Sequence, residues 1–362
     1  MEPTNGTGTS TGSGGGSSSG PTRRTGERQS VTVRVPATSA NVGSGFDCIG
    51  LALDIWNDLT VERSDVFEIA IDGEGAERLP RDESNLVVTG MRAAFKTAGK
   101  PVPTLKYTCV NRIPFARGLG SSSAAIVSGL VAGLVLTGHE LPVEGEEALL
   151  QLACGIEGHP DNVAPAIYGG LQIGVHTGDR WYTSRIQMGP GLQAVLFLPD
   201  HILETSAARA VLPDKVPRKD AIFNVSRAAL LANAFATGNM KELQMAMEDS
   251  LHQPYRAAQN PHLYPLVAAA IKAGSHGACL SGAGPAIFAL TSGAKGDIYS
   301  QRKGERAEQI VADCMLKAAE ETNAKGRIFI TSPTERGAHV VSADPPFSDL
   351  RVLHFSTAGT PL

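Results

Sequence analysis

Four short stretches concentrate the residue types that chemistry needs. Glu157-Gly158-His159-Pro160-Asp161-Asn162-Val163-Ala164-Pro165 places Glu, His, Asp and Asn within six positions. A run so polar, broken by Gly and Pro, makes a poor core and a poor helix, so a stiff loop is expected there. Its carboxylates suit Mg²⁺, which takes oxygen ligands. Zinc does not fit, because no second His or Cys lies at ligand spacing. Pro114-Phe115-Ala116-Arg117-Gly118-Leu119-Gly120-Ser121-Ser122-Ser123-Ala124-Ala125 has the make-up of a phosphate loop. Its glycines let backbone N–H groups approach an anion, and its serines open a helix whose N-terminus is partly positive. Pro36-Ala37-Thr38-Ser39-Ala40-Asn41-Val42-Gly43-Ser44-Gly45-Phe46-Asp47 puts small residues, an Asn and an Asp directly after a strand pattern. Gly277-Ala278-Cys279-Leu280-Ser281-Gly282-Ala283-Gly284-Pro285-Ala286 is another small-residue stretch. Each has a plain alternative when read alone: a structural His in the first, a serine cap after a glycine turn in the second, an Asx-capped turn in the third and close backbone packing in the fourth.

The elements that must carry these stretches alternate along the chain. Val31, Val33 and Val35 alternate with polar residues, a strand that Pro36 should end. Ile49 to Val61, Phe67 to Ile71, Leu105 to Val110, Leu171 to Val175, Ala194 to Pro199, Ala286 to Leu290 and Arg327 to Thr331 read as strands. Helices are expected over Asn85 to Ala98, Ser122 to Leu136, Gly145 to Gly155, Ala221 to Ala236, Met240 to Leu251, Tyr264 to Gly274 and Glu305 to Asn323. Interleaved strands and helices place the chain in a mixed α and β class. The Gly189-Pro190-Gly191 punctuation divides it near residue 190.

Composition narrows the function classes. The chain has 362 residues and a net charge of −4, so no global basic field recruits nucleic acid or anionic lipid. No apolar run of about 18 residues is present, so no spanning helix is expected. Five cysteines at wide spacing, with no C-x-x-C, argue against a disulfide framework and for a reducing compartment. Residues 1–30 hold 8 Gly, 6 Ser and 6 Thr, which cannot repay the entropy of ordering, so a disordered tail is expected. There is no G-x-x-x-x-G-K-[ST], and the 118–123 loop lacks the third glycine of a dinucleotide fingerprint.

Taken in order, the four stretches resemble the GHMP small-molecule kinases. The P-x-x-x-G-L-G-S-S-x-A loop is that superfamily's signature. The forms beginning at Pro36 and Glu157 are similar to the homoserine kinases in particular. The likeness runs from about Val31 to Leu290. It implies an α+β GHMP kinase fold: an N-terminal ATP-binding domain like ribosomal protein S5 domain 2 (31–190) and a ferredoxin-like C-terminal domain (191–350). It also implies transfer of the γ-phosphoryl group of ATP, with Mg²⁺, to the side-chain hydroxyl of L-homoserine, within threonine biosynthesis. A cytoplasmic enzyme is expected, with organellar import by the tail and a homodimer left open, and neither nucleic acid nor membrane as a partner.

The resemblance also implies roles. Pro114, Arg117, Gly118, Leu119, Gly120, Ser121, Ser122, Ser123 and Ala124 would wrap the phosphates, with Asn85 near adenine. Ser122 and Glu157 would hold Mg²⁺. Asn41, Asp47, His159, Asp161, Arg209, Arg256 and Gly282 would surround the amino acid. Asn162, Thr205 and Arg209 would act on the transferred group. A zwitterion needs both signs, and arginine forks suit a carboxylate while aspartates suit an ammonium. Kinases of mevalonate and galactose align an Asp proton acceptor with Asn162. Asn cannot be a base, so no side chain is expected to deprotonate the hydroxyl. Ser123 departs from the pattern, standing where Ala is usual. Gly293 to Gly304 reads as a polar surface insertion.

Overall fold

The computed structural model describes residues 27–138, 146–292 and 306–346. The Gly293 to Gly304 segment and residues 1–26 of the expected tail lie outside the described residues. Glu27 to Gln29 belong to the fold, with the Gln29 N–H donating to the Asp344 carbonyl at 2.6 Å.

The chain runs β1 (Ser30–Ala40), β2 (Ile49–Arg63), β3 (Glu68–Gly73), α1 (Leu86–Thr97), β4 (Leu105–Asn111), α2 (Ser121–Leu136), α3 (Glu146–Glu157), α4 (Pro160–Tyr168), β5 (Leu171–His176), β6 (Trp181–Ile186), β7 (Leu192–Pro199), α5 (Thr205–Arg209), α6 (Arg218–Thr237), α7 (Leu243–Ala246), α8 (Gln253–Arg256), α9 (Leu263–Lys272), β8 (Gly277–Leu280), β9 (Ile287–Ser292), α10 (Ala307–Glu321), β10 (Gly326–Thr331) and β11 (His339–Asp344). Strands β1 to β6 with β11 form one sheet, in the order β11-β1-β2-β4-β3, with β5 on β2 and β6 on β5. The β3–β4 pair is parallel, with α1 as its connection. Strands β7 to β10 form a second, antiparallel sheet in the order β10-β7-β9-β8, the β-α-β-β-α-β arrangement of a ferredoxin-like layer.

Local chemistry explains where elements begin and end. Helix α1 starts at Asn85, whose side-chain oxygen accepts from the Val87 N–H. Helix α2 is apolar on every side and buried over most of its length, so it sits inside the first core rather than on it. The second core packs Val195, Phe197 and Ile287 of its sheet against Leu266 of α9 and Met315 of α10.

Several elements differ from their sequence expectation. Strand β1 does not end at Pro36 but runs on to Ala40, with a register shift between Pro36 and Ala37, the kind of irregularity at which a strand tolerates proline. The Glu157–Pro165 stretch is not a loop throughout: α4 begins at Pro160, which serves as a first-turn proline whose missing N–H is not needed. The helix expected over Met240 to Leu251 breaks into a 3₁₀ turn (Met240–Glu242) and α7. The Asp249 carboxylate ends that run by accepting from the N–H groups of Leu251, His252 and Gln253, which opens α8. Strands β6, β8 and β11 are not among those expected from the sequence, and β11 carries the chain back to β1. Among the described residues no helix is long and apolar enough to cross a membrane.

Candidate functional site

The four stretches meet at the N-terminus of α2. Thr38 of β1 donates its N–H to the Leu119 carbonyl, and Ser39 Oγ lies 2.9 Å from Ser281 Oγ. Ser281 Oγ in turn donates to the Gly118 carbonyl at 2.8 Å, and the Gly282 N–H donates to the Ala40 carbonyl. The two sheets are therefore stitched together through the loop.

Glycine is required at the loop's two turning points. Gly118 and Gly120 have φ of 75° and 68°. A Cβ on Gly118 would lie 2.1 Å from the Ser281 carbonyl oxygen, and one on Gly120 would lie 1.9 Å from Thr38 Oγ1. With Gly120 as its cap, α2 opens with Ser121-Ser122-Ser123, with no side-chain cap and no acidic residue in its first turn. Free N–H groups and the positive dipole end suit a phosphate chain. Ser122 Oγ donates to Glu157 Oε1 at 2.8 Å, and Ser123 Oγ donates to the same oxygen at 2.9 Å.

On one side of the loop lies a cavity of about 190 Å³, walled by Leu59, Ile71, Leu79, Ile113 and Phe115 and reaching Ser121 and Ser122. Asn85 lines it, yet its side chain is committed to the cap and to the Pro80 carbonyl at 2.7 Å. Arg117 also departs from its expected place. Its guanidinium donates to the carbonyls of Pro199, Phe115 and Asp200, tying the loop to the end of β7 rather than facing the recess.

On the other side is a small recess lined by Asn41, Gly118, Ser122, Glu157, His159, Asp161, Asn162, Thr205, Arg209, Arg256 and Gly282. Those expected residues thus share one wall-to-wall space, although they come from both halves of the chain. Asp47 borders it through a two-pronged ion pair with Arg209, at 2.8 and 3.2 Å. Burial pushes the Arg209 guanidinium down, but the Asp47 hydrogen bond and charge outweigh it, so Arg209 stays firmly charged. Asp161 is 1% exposed; its Oδ1 meets His159 Nδ1 at 2.5 Å, while its Oδ2 is buried without a partner. Burial lowers the affinity of His159 for its proton, but Asp161 outweighs burial and raises it.

Arg256 is 1% exposed, and burial followed by the charge of Arg209 pulls it down to about 10. It still carries its charge at neutral pH. Its Nε donates to the Ala208 carbonyl, and its Nη1 to the Gly282 carbonyl and to His252 Nδ1. Arginine can only donate, so His252 Nδ1 accepts and Nε2–H donates to the Gly43 carbonyl at 3.2 Å. Burial lowers His252, which agrees with a neutral ring.

Residue type and spacing alone do not single out Thr38. Its hydroxyl donates to Asn162 Oδ1 at 2.8 Å, which fixes that amide with its NH₂ turned away from Thr38. Its position in the second stretch was the only signal. Residue spacing could not show a contact across 124 positions.

Family models for the GHMP kinases N terminal domain and the GHMP kinases C terminal match residues 85–170 and 229–315. A homoserine kinase from Carboxydothermus hydrogenoformans is 40% identical over 85% of this chain and 96% of its own length. One from Clavibacter michiganensis subsp. michiganensis is 46% identical over 74% of this chain and 84% of its own. The crystal structure of homoserine kinase from Cytophaga hutchinsonii superposes with a TM-score of 0.74 at 27% identity, covering 87% of this chain and 98% of that one.

Proposed function

The chain belongs to the homoserine kinases of the GHMP family, and on that premise we propose that its site moves the γ-phosphoryl group of ATP to the side-chain hydroxyl of L-homoserine. The product is O-phospho-L-homoserine, an intermediate of threonine biosynthesis. One observation carries this reading: the anion-binding end of α2 faces a recess that bears both signs of charge, Arg209 and Arg256 with Asp47 and Asp161.

The residues suit each part of the two substrates. The apolar cavity beside the loop fits an adenine ring, and Gly118 to Ser122 give the phosphates their N–H groups. Ser122 and Glu157 supply two oxygen donors beside the phosphate site, which fits Mg²⁺. Among the described residues no cluster of three or more His, Cys, Asp or Glu could cage a metal, so the ion would arrive with the nucleotide. Bound there, Mg²⁺ would neutralise charge on the phosphate oxygens.

The acceptor is a zwitterion. Arg256 and Arg209 offer donors to its carboxylate. The unpartnered Asp161 Oδ2 is a buried acceptor that an ammonium would satisfy. Asp47 and Arg209 hold each other when no substrate is present, and a zwitterion can replace each partner with one of its own ends.

In the reaction the hydroxyl oxygen bonds to the γ-phosphorus while the bond from that phosphorus to the β–γ bridging oxygen breaks, releasing ADP. Asn162 cannot take the hydroxyl proton. With its Oδ1 held by Thr38, its NH₂ is the group left to donate to the reacting oxygens. The proton leaves to solvent or to a γ-phosphate oxygen. Positioning and charge neutralisation carry the rate.

ADP release measured with L-homoserine, threonine, serine and mevalonate as acceptors tests the reading. Homoserine should give by far the highest kcat/KM. Faster turnover of mevalonate would overturn the proposal.

A further inference from the structure

Ser123 is the one serine of the loop that cannot face a phosphate. It is 0% exposed, and its hydroxyl points at Glu157 Oε1 from inside the first core. Ser122 donates to that same oxygen from the recess side. Two hydroxyls thus converge on one carboxylate oxygen, while no hydrogen bond from the described residues reaches Glu157 Oε2. The two donors are not equivalent. Ser122 borders the recess, so its oxygen can turn to a cation there. Ser123 is enclosed and has no such freedom.

We propose that Ser123 is a positioning residue for Glu157, anchoring Oε1 so that Oε2 is presented to the divalent cation that accompanies the nucleotide. The inference rests on the reading that Ser122 and Glu157 hold that cation, and goes beyond it by giving the non-ligating serine a task. Ligating carboxylates need such outer hydrogen bonds to keep their orientation. An Ala at this position would leave Glu157 with Ser122 as its lone hydroxyl donor. This chain would therefore bind the cation more tightly than its own Ser123→Ala variant.

The test is Mn²⁺ binding to the ADP-bound protein, followed by electron paramagnetic resonance without turnover. Ser123→Ala should raise the Mn²⁺ dissociation constant roughly tenfold, the lower end of the loss expected when a ligand's outer partner is removed. Ser123→Cys, a weak donor of similar shape, should fall between. Affinity for metal-free ADP and the melting temperature should stay at wild-type values. Wild-type Mn²⁺ affinity in Ser123→Ala, with weakened binding in Ser122→Ala and Glu157→Gln, would overturn the inference alone. Unchanged affinity in all three variants would overturn the metal reading beneath it. A matched loss of metal-free ADP affinity and melting temperature would reduce Ser123 to a packing residue and also overturn the inference.

Discussion

At the residue scale, the site works through two kinds of side chain, those free to meet substrate and those held by the protein. Thr38 and Asn162 show the second case. Thr38→Val keeps the shape and removes the donor, so the Asn162 amide can rotate. The expected outcome is a fall in kcat of roughly 10- to 100-fold, the cost of misplacing a catalytic donor, with the KM for ATP unchanged and recovery in Thr38→Ser. Steady-state kinetics on the three proteins checks it. Cysteines give a second prediction. Burial pushes Cys48 and Cys109 up to about 11 and Cys154 and Cys279 up to about 12. A raised value keeps the thiol protonated, and only the thiolate reacts. Iodoacetamide at pH 8 should leave these four unmodified in the native protein and label all of them after denaturation, as mass spectrometry would show.

At the element scale, the sheet's edges and helix starts do the positioning. Asp58 of β2 accepts from Arg34 of β1 and from Arg112 just after β4, so three neighbouring segments share one carboxylate. Burial pushes Asp58 up, but the two arginines outweigh it and hold it below the usual carboxylate range. A depressed value means the stabilisation is present above the unfolded pKa and is lost as pH falls through the folded one. Both arginines are well exposed, so Asp58→Asn should cost only about 1 kcal/mol at pH 7. The difference from wild type should shrink steadily below pH 4 in denaturant titrations.

Much at this scale was legible in the sequence. Alternation marked β1, the segments of β2 and β4 also read as strands, and the Gly-Ser run marked the start of α2 within one residue. Helix α4 was not legible, since Pro160 and Pro165 read as breakers until the first is seen as a helix opener. Arg117 shows the opposite failure. Its place in the loop suggested phosphate, but only the tertiary structure reveals the carbonyls of Pro199 and Asp200 that claim it.

At the scale of the whole molecule, the site exists because two sheets are joined. Arg256 and Arg209 come from the second half, while Asp47, Asp161 and Asn162 come from the first. No spacing rule could pair Asp47 with Arg209 across 162 positions. Resemblance of motifs pointed to both, but not to their ion pair. On the proposed reading, in which these groups together hold a zwitterion, Arg256→Met should raise the KM for the amino acid far more than that for ATP, by roughly 100-fold if a charged hydrogen bond is lost. Loss of both affinities alike would mean that the two halves no longer dock. Phosphorus NMR after incubation with MgATP and L-homoserine reads the phosphoryl transfer itself. The spectrum should show ADP and an equal amount of a phosphomonoester whose signal is split by the side-chain methylene. ADP with inorganic phosphate alone, or a phosphomonoester that forms with mevalonate and not with homoserine, would contradict it.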